Sequence, residues 1–125
     1  MIPEGRQLVE RYGGGGFQVS GTRHAGSVLV LPEATAPWAP KTMAEIDGDE
    51  LVAAVNALLP EDAAPIEVLL LGCGAELVPP KAALRQALKA AGMVVEPMAT
   101  GAACRTYNVL AAEDRRVAAA LIAVQ

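Results

Sequence analysis

Between Pro65 and Leu110 the apolar positions change period more than once. Ile66-Glu67-Val68-Leu69-Leu70-Leu71 is a short, almost continuous apolar run rich in branched residues. Such a run suits a strand covered on both faces, as in a parallel sheet. Gly72 and Gly74 end it. Behind Pro79-Pro80 the period becomes helical: Leu84, Ala87, Leu88 and Ala91 stand at i, i+3, i+4 and i+7, and Gly92 occupies the position that closes a helix. Met93-Val94-Val95-Glu96 then reads as a second strand. Strand, helix and strand within about thirty residues form a βαβ unit, and the right-handed crossover rule sets the two strands parallel. A further helix starts at Thr100, its expected N-cap. Ala103, Tyr107, Leu110 and Ala111 make its buried face, with Cys104, Arg105 and Asn108 on the opposite flank.

The flanking segments are less regular. Residues 1–16 read as a loosely held entry ending in Gly13-Gly14-Gly15-Gly16, a run without the Lys-Ser or Lys-Thr of a phosphate-binding loop. Phe17–Gly21 alternates apolar and polar positions, and Ser27–Leu31 forms a second strand closed by Pro32. Arg23-His24-Ala25-Gly26 between them is the expected turn of an antiparallel hairpin. Trp38, between Pro37 and Pro40, belongs to a short edge strand or loop, because proline cannot donate to a central ladder. Asp47-Gly48-Asp49-Glu50 has capping-box spacing, and the helix behind it carries Leu51, Val55, Leu58 and Leu59 on one face before Pro60 stops it. Arg116–Val124 is apolar at nearly every position. Alanine there favours helix, but the run is only nine residues long and Glu113-Asp114-Arg115 breaks the period, so it reads as a buried strand.

Composition narrows the function. The chain of 125 residues reads as one domain, 1–125, and 53% hydrophobic residues suffice for a real core. With only Tyr12, Phe17, Trp38 and Tyr107 as aromatics, that core is aliphatic and alanine-rich. A net charge of −4 argues against nucleic acid, whose binders need basic surfaces. No apolar run reaches the length of a membrane span. The N-terminus resembles neither a signal peptide nor an Arg-rich transit peptide, which points to the cytoplasm. Two cysteines 31 positions apart form no disulfide framework.

Four groups of residues carry candidate chemistry. Gly72-Cys73-Gly74 follows a strand, as a dinucleotide loop would, and Glu96 ends the next strand where a ribose-binding acid would lie. Leu77 replaces the third glycine, however, and Pro79-Pro80 delays the helix. Thr100, Cys104, Arg105, Tyr107 and Asn108 crowd one helix and face either a cleft or the strand ends; Arg105 is expected to satisfy loop carbonyls there. Cys73 and Cys104 both fall on the C-terminal side of the sheet, where their thiols could meet. The lone histidine, His24, stands in the distant hairpin, so neither thiol has a base and no metal ligand set forms. Lys81, Arg85 and Lys89 make a basic stripe at i, i+4 and i+8, either a solvated face or a dock for an acidic partner.

Several stretches together resemble a known family: Tyr12-Gly13 to Phe17, Gly26-Ser27-Val28-Leu29-Val30-Leu31-Pro32, Leu69-Leu70-Leu71-Gly72-Cys73-Gly74, and Glu96-Pro97-Met98-Ala99-Thr100-Gly101-Ala102-Ala103-Cys104-Arg105-Thr106-Tyr107-Asn108. They are similar to the small domain of mitochondrial respiratory complex I assembly factor three and its uncharacterised bacterial relatives. Cys73 departs from the threonine or other small residue more usual in that family. The resemblance implies an α/β fold of three layers, with a mixed central sheet of about five strands, helices on both sides and an N-terminal β-hairpin. It implies no catalytic residues and no cofactor, but a protein partner among complex I subunits or other assembly factors. The expectation is a non-enzymatic assembly or scaffolding factor, with homo-oligomerisation left open. The alternative is a small-molecule or nucleotide-binding protein using the cleft at Gly72–Gly74 and Thr100–Asn108.

Overall fold

The computed structural model describes residues 6–125. Its centre is a mixed five-stranded sheet in the order β5-β4-β8-β6-β7. The strands are β4 (Val28–Val30), β5 (Thr35–Pro37), β6 (Val68–Gly72), β7 (Val94–Met98) and β8 (Val117–Leu121). The βαβ reading holds: β6 runs parallel to β7, joined by α2 (Ala82–Ala90), and also parallel to β8 on its other side. The Arg116–Val124 run does form a strand, at the middle of the sheet. Its Ala118, Ala119 and Ala120 are buried, small enough for layers to close on both faces.

Alternation along the strands sorts the core. Leu69, Leu71, Val95, Ala118 and Ala120 join Leu51 and Val55 of α1 (Gly48–Leu58) and Leu84 and Leu88 of α2. Leu70, Val117, Ala119 and Leu121 face the other way, toward Ala103, Tyr107 and Ala111 of α3 (Thr100–Ala112) and toward Phe17 and Val19. The result is three layers. Two helices lie on one side of the sheet; one helix and a second, three-stranded sheet lie on the other.

Local chemistry sets the helix ends. The Asp47 side chain accepts the Glu50 N–H at 3.1 Å, so Asp47 caps α1 as its spacing predicted. At the end of α2, Gly92 adopts φ +86°, its N–H bonds Lys89 C=O, and Met93 N–H bonds Leu88 C=O. That pair of bonds is the Schellman closure. α1 and α2 approach closely at Gly48, where a Cβ would stand 2.8 Å from that of Ala87.

The N-terminal region differs from expectation. β1 (Val9–Gly13), β2 (Gly16–Val19) and β3 (Thr22–Ala25) form an antiparallel meander of their own. Residues 9–13 are therefore a strand rather than a loose entry, and residues 1–5 lie outside the described part. The expected hairpin between 17–21 and 27–31 does not form. Phe17 pairs with His24, and Val28 pairs with Leu121 in the main sheet. The reason is in the turns: Gly14 and Gly15 take φ +62° and +80°, and Ser20 and Gly21 take +46° and +86°. Two positive-φ residues in a row make a type I′ turn, whose twist suits a two-residue hairpin loop. Ser20-Gly21 is thus the turn, and Arg23-His24-Ala25 is a strand.

The edges of the main sheet are treated alike. Val94 N–H bonds Glu67 C=O and Cys73 N–H bonds Met98 C=O, so the alternate residues Val95 and Pro97 turn their backbone groups outward. On the other edge Trp38 N–H bonds Ser27 C=O and Leu31 N–H bonds Ala34 C=O, which turns Thr35 and Pro37 outward. Each edge strand therefore carries a proline where a free N–H would face solvent, at no cost to the ladder.

Candidate functional site

The C-terminal ends of β6, β7 and β8 meet at one side chain. Thr100 is fully buried at the start of α3. Its hydroxyl accepts the Gly74 N–H at 2.9 Å and donates to the Ile122 C=O at 2.7 Å, while its own N–H bonds Gly74 C=O at 2.8 Å. Gly72 has to be small here, since a Cβ would lie 3.0 Å from the Thr100 hydroxyl and from Leu121. Thr100 is the first helical residue rather than the N-cap. The cap position is Ala99, which supplies no side-chain bond. The hydroxyl holds strand ends together instead of closing the helix.

Beside this junction lies a cavity of about 320 Å³ lined by Tyr12, Gly74, Gly101, Ala102, Arg105 and Gln125 among others. The Tyr12 ring lies on Gly101, where a Cβ would stand within 2.4 Å of the phenol oxygen. Arg105 is exposed and, among the described residues, reaches only the Tyr12 hydroxyl, at 3.5 Å. It satisfies no carbonyl among the described residues, where loop carbonyls are expected. Arg116 does that work, donating to Ala64 C=O and to Glu33, and Arg6 pairs with Asp114 and Glu33.

The remaining candidates scatter. Asn108 lies two turns down α3, away from Gly72–Gly74. Its amide accepts the Val9 N–H at 2.9 Å and donates to Val9 C=O at 2.7 Å, acting as a strand residue would on the outward edge of β1. Cys104 is buried rather than on an outer flank. Cys73 joins the core on the α1/α2 side and Cys104 the core on the α3 side, so the thiols do not share a pocket. Burial pushes the Cys104 thiol up to about 12, the Arg105 charge offsetting only part, so it stays protonated and unreactive at neutral pH. Burial likewise raises Tyr107, whose hydroxyl has no hydrogen-bond partner among the described residues. Glu96 is exposed on β7. Arg85 and Lys89 are exposed on α2 and Lys81 at its N-cap, the first two bordering a groove with Met93, Val94 and Val95.

Sequence reasoning missed Tyr12 at this mouth. Nothing local announces it, because its place depends on β1 running antiparallel beside α3, with Tyr12 at Arg105 and Val9 at Asn108. Among the described residues no cluster of three metal-ligating side chains occurs, and no helix is long and apolar enough to cross a membrane.

A family model described as "Protein of unknown function (DUF498/DUF598)" matches residues 9–122. The chain belongs to that family. An uncharacterized protein of Rhodobacter capsulatus is 39% identical over 91% of this chain and 82% of its own length. NADH dehydrogenase [ubiquinone] 1 alpha subcomplex assembly factor 3 of Danio rerio is 36% identical over 92% of this chain and 63% of its own, and the human protein of that name is 30% identical over 91% and 59%. The chain thus spans under two thirds of those assembly factors, and the resemblance drawn from the sequence stands. A crystal structure of a Bordetella parapertussis protein is similar at a TM-score of 0.82 and 36% identity, covering 97% of this chain and 99% of that one.

Proposed function

We propose that this DUF498/DUF598 member is a non-enzymatic assembly factor, acting in the cytoplasm on subunits or fellow factors of a respiratory enzyme of the complex I kind. One observation carries the reading: similarity to assembly factor 3 runs through 92% of the chain at 36% identity. The residues of its most distinctive segment fit that view. Thr100 and Asn108 are committed to backbone groups, and the Cys104 thiol is kept neutral by burial, so what the segment offers outward is Arg105 and Val109. Arginine and tyrosine beside an apolar surface residue are the side chains that anchor protein interfaces. Deleting the protein from its native cell should lower the amount of assembled NADH dehydrogenase seen on native gels and leave free subcomplexes. An unchanged level of the full complex would overturn the proposal.

A second reading rests on the cavity at Thr100. Its volume of about 320 Å³ is at the small end of ligand pockets, and Arg105 beside the first turn of α3 suits a small anion. The Tyr12 ring over Gly101 leaves little room for a nucleotide. Titrating the protein with inorganic phosphate while following the Gly74 and Gly101 amides by NMR tests this: saturable shifts support it, and unmoved amides remove it.

A further inference from the structure

We infer that the outer edge of β3, Thr22–Ala25, docks an extended acidic segment of a protein partner by strand addition. The inference rests on the assembly reading and names the surface it would use. The edges of the two sheets are handled in three ways. The outward positions of β5 and β7 carry Pro37 and Pro97. The outward N–H and C=O of Val9 in β1 are filled by the Asn108 amide. β3 has neither device. Gly26 N–H bonds Gly15 C=O, so in the β2–β3 ladder His24 and Thr22 point inward while Arg23 and Ala25 turn their N–H and C=O groups outward. Those groups meet no partner among the described residues, and Thr22, Arg23 and Ala25 are all exposed. An edge with two free donors and two free acceptors is a template for a further strand.

Charge selects the occupant. The register places Arg11, Gln18 and Arg23 in one row across the three strands. Both arginines are exposed, and Arg23 spends one nitrogen on the Gly13 and Gly14 carbonyls. A second copy pairing antiparallel here would bring its own Arg23 onto the same face, opposite or diagonal to the first, and like charges across a ladder are unfavourable. A strand with acidic residues at alternate positions gains the main-chain bonds and sets its carboxylates against this row.

The test uses two hexapeptides, Val-Glu-Val-Glu-Val-Glu and Val-Lys-Val-Lys-Val-Lys, at millimolar concentration with the isotope-labelled chain. The acidic peptide should shift the Arg23 and Ala25 amides, slow their hydrogen exchange several-fold and lose affinity as salt rises; the basic peptide should not. Ala25→Pro removes one outward donor without touching the ladder, as Pro37 and Pro97 do, and should cost at least tenfold in affinity with melting unchanged. Arg23→Glu should invert the preference between the peptides, which keeps the test valid if the proline variant folds poorly. Equal response to both peptides, shifts confined to β5 or β7, or a dimer of the chain that Ala25→Pro dissociates would each overturn the inference. If deletion lowers complex assembly but Ala25→Pro restores it as well as wild type does, the docking surface falls and the assembly reading stands.

Discussion

Replacing Thr100 by valine keeps the shape of the side chain and removes only its hydroxyl. Two backbone groups then lose their partner: the N–H of half-buried Gly74 and the C=O of buried Ile122. A buried polar group left unpaired costs about 1–3 kcal/mol, and Gly74, nearer to solvent, falls at the lower end, so the pair sums to about 3 kcal/mol. For 125 residues the unfolding entropy is about 0.26 kcal/mol/K, and that loss lowers Tm by about 11 °C. In urea, with a slope of about 2 kcal/mol/M, the midpoint should fall by about 1.5 M with the slope unchanged. Thr100→Ser is the control: it keeps both bonds and loses one methyl, at about 1 kcal/mol. Circular dichroism melts and urea titrations of the three proteins decide it. A valine variant as stable as wild type, or a serine variant as damaged as the valine one, would refute the claim that this hydroxyl ties the strand ends.

Asn108→Ala strips both partners from the buried Val9 backbone, so hydrogen exchange should quicken across residues 9–25 while residues 68–72 stay protected; uniform acceleration would mean that the small sheet does not undock on its own. Tyr107→Phe deletes a hydroxyl that has no partner among the described residues, and the urea midpoint should stay level or rise; a fall of more than about 1 kcal/mol would show that the hydroxyl is bonded after all. The folded Cys104 keeps its proton up to about 12 against an ordinary 9.0, so its contribution is complete below pH 9 and is lost as pH rises from there toward 12. Tyr107, also raised, adds a loss of the same sign at alkaline pH. Urea midpoints at pH 8 and pH 10.5 should show the decline, and Cys104→Ala should flatten it; equal slopes with pH would contradict it.

The parts of the fold legible in the sequence are those where one local signal suffices. The β6 run is apolar because both its faces are covered, Asp47 has only one backbone donor to reach, and Gly92 sits where only glycine turns easily. Thr22–Ala25 was illegible because nothing in Thr-Arg-His-Ala speaks for a strand. It becomes one because the Ser20-Gly21 turn lays it against β2. The buried face of α3 is wider than Ala103, Tyr107, Leu110 and Ala111, because it also takes in Cys104, which the spacing places on the opposite flank. Thr100, Cys104 and Tyr107 belong to that face, and a buried threonine is invisible to an apolar pattern when its hydroxyl is matched by a backbone N–H and a C=O just beyond distant strands. Asn108 parts from Thr100 to join β1, and Cys73 parts from Cys104 because the two thiols, though both on the C-terminal side, face opposite layers of the sheet.

The middle strand of the sheet, Val117–Leu121, comes late in the chain. During synthesis the β5–β4 pair and the β6–β7 unit exist before the strand that joins them, so neither half can close its ladder until β8 emerges. Val28, Leu29 and Val30 on one side and Leu69, Leu70 and Leu71 on the other wait as unpaired apolar edges until β8 leaves the exit tunnel. Closure then depends on contacts across nearly a hundred residues, from Val28 to Leu121, which slows folding and lengthens the period of exposure. A stalled or truncated nascent chain lacking β8 should accordingly be a client for chaperones rather than a smaller folded domain.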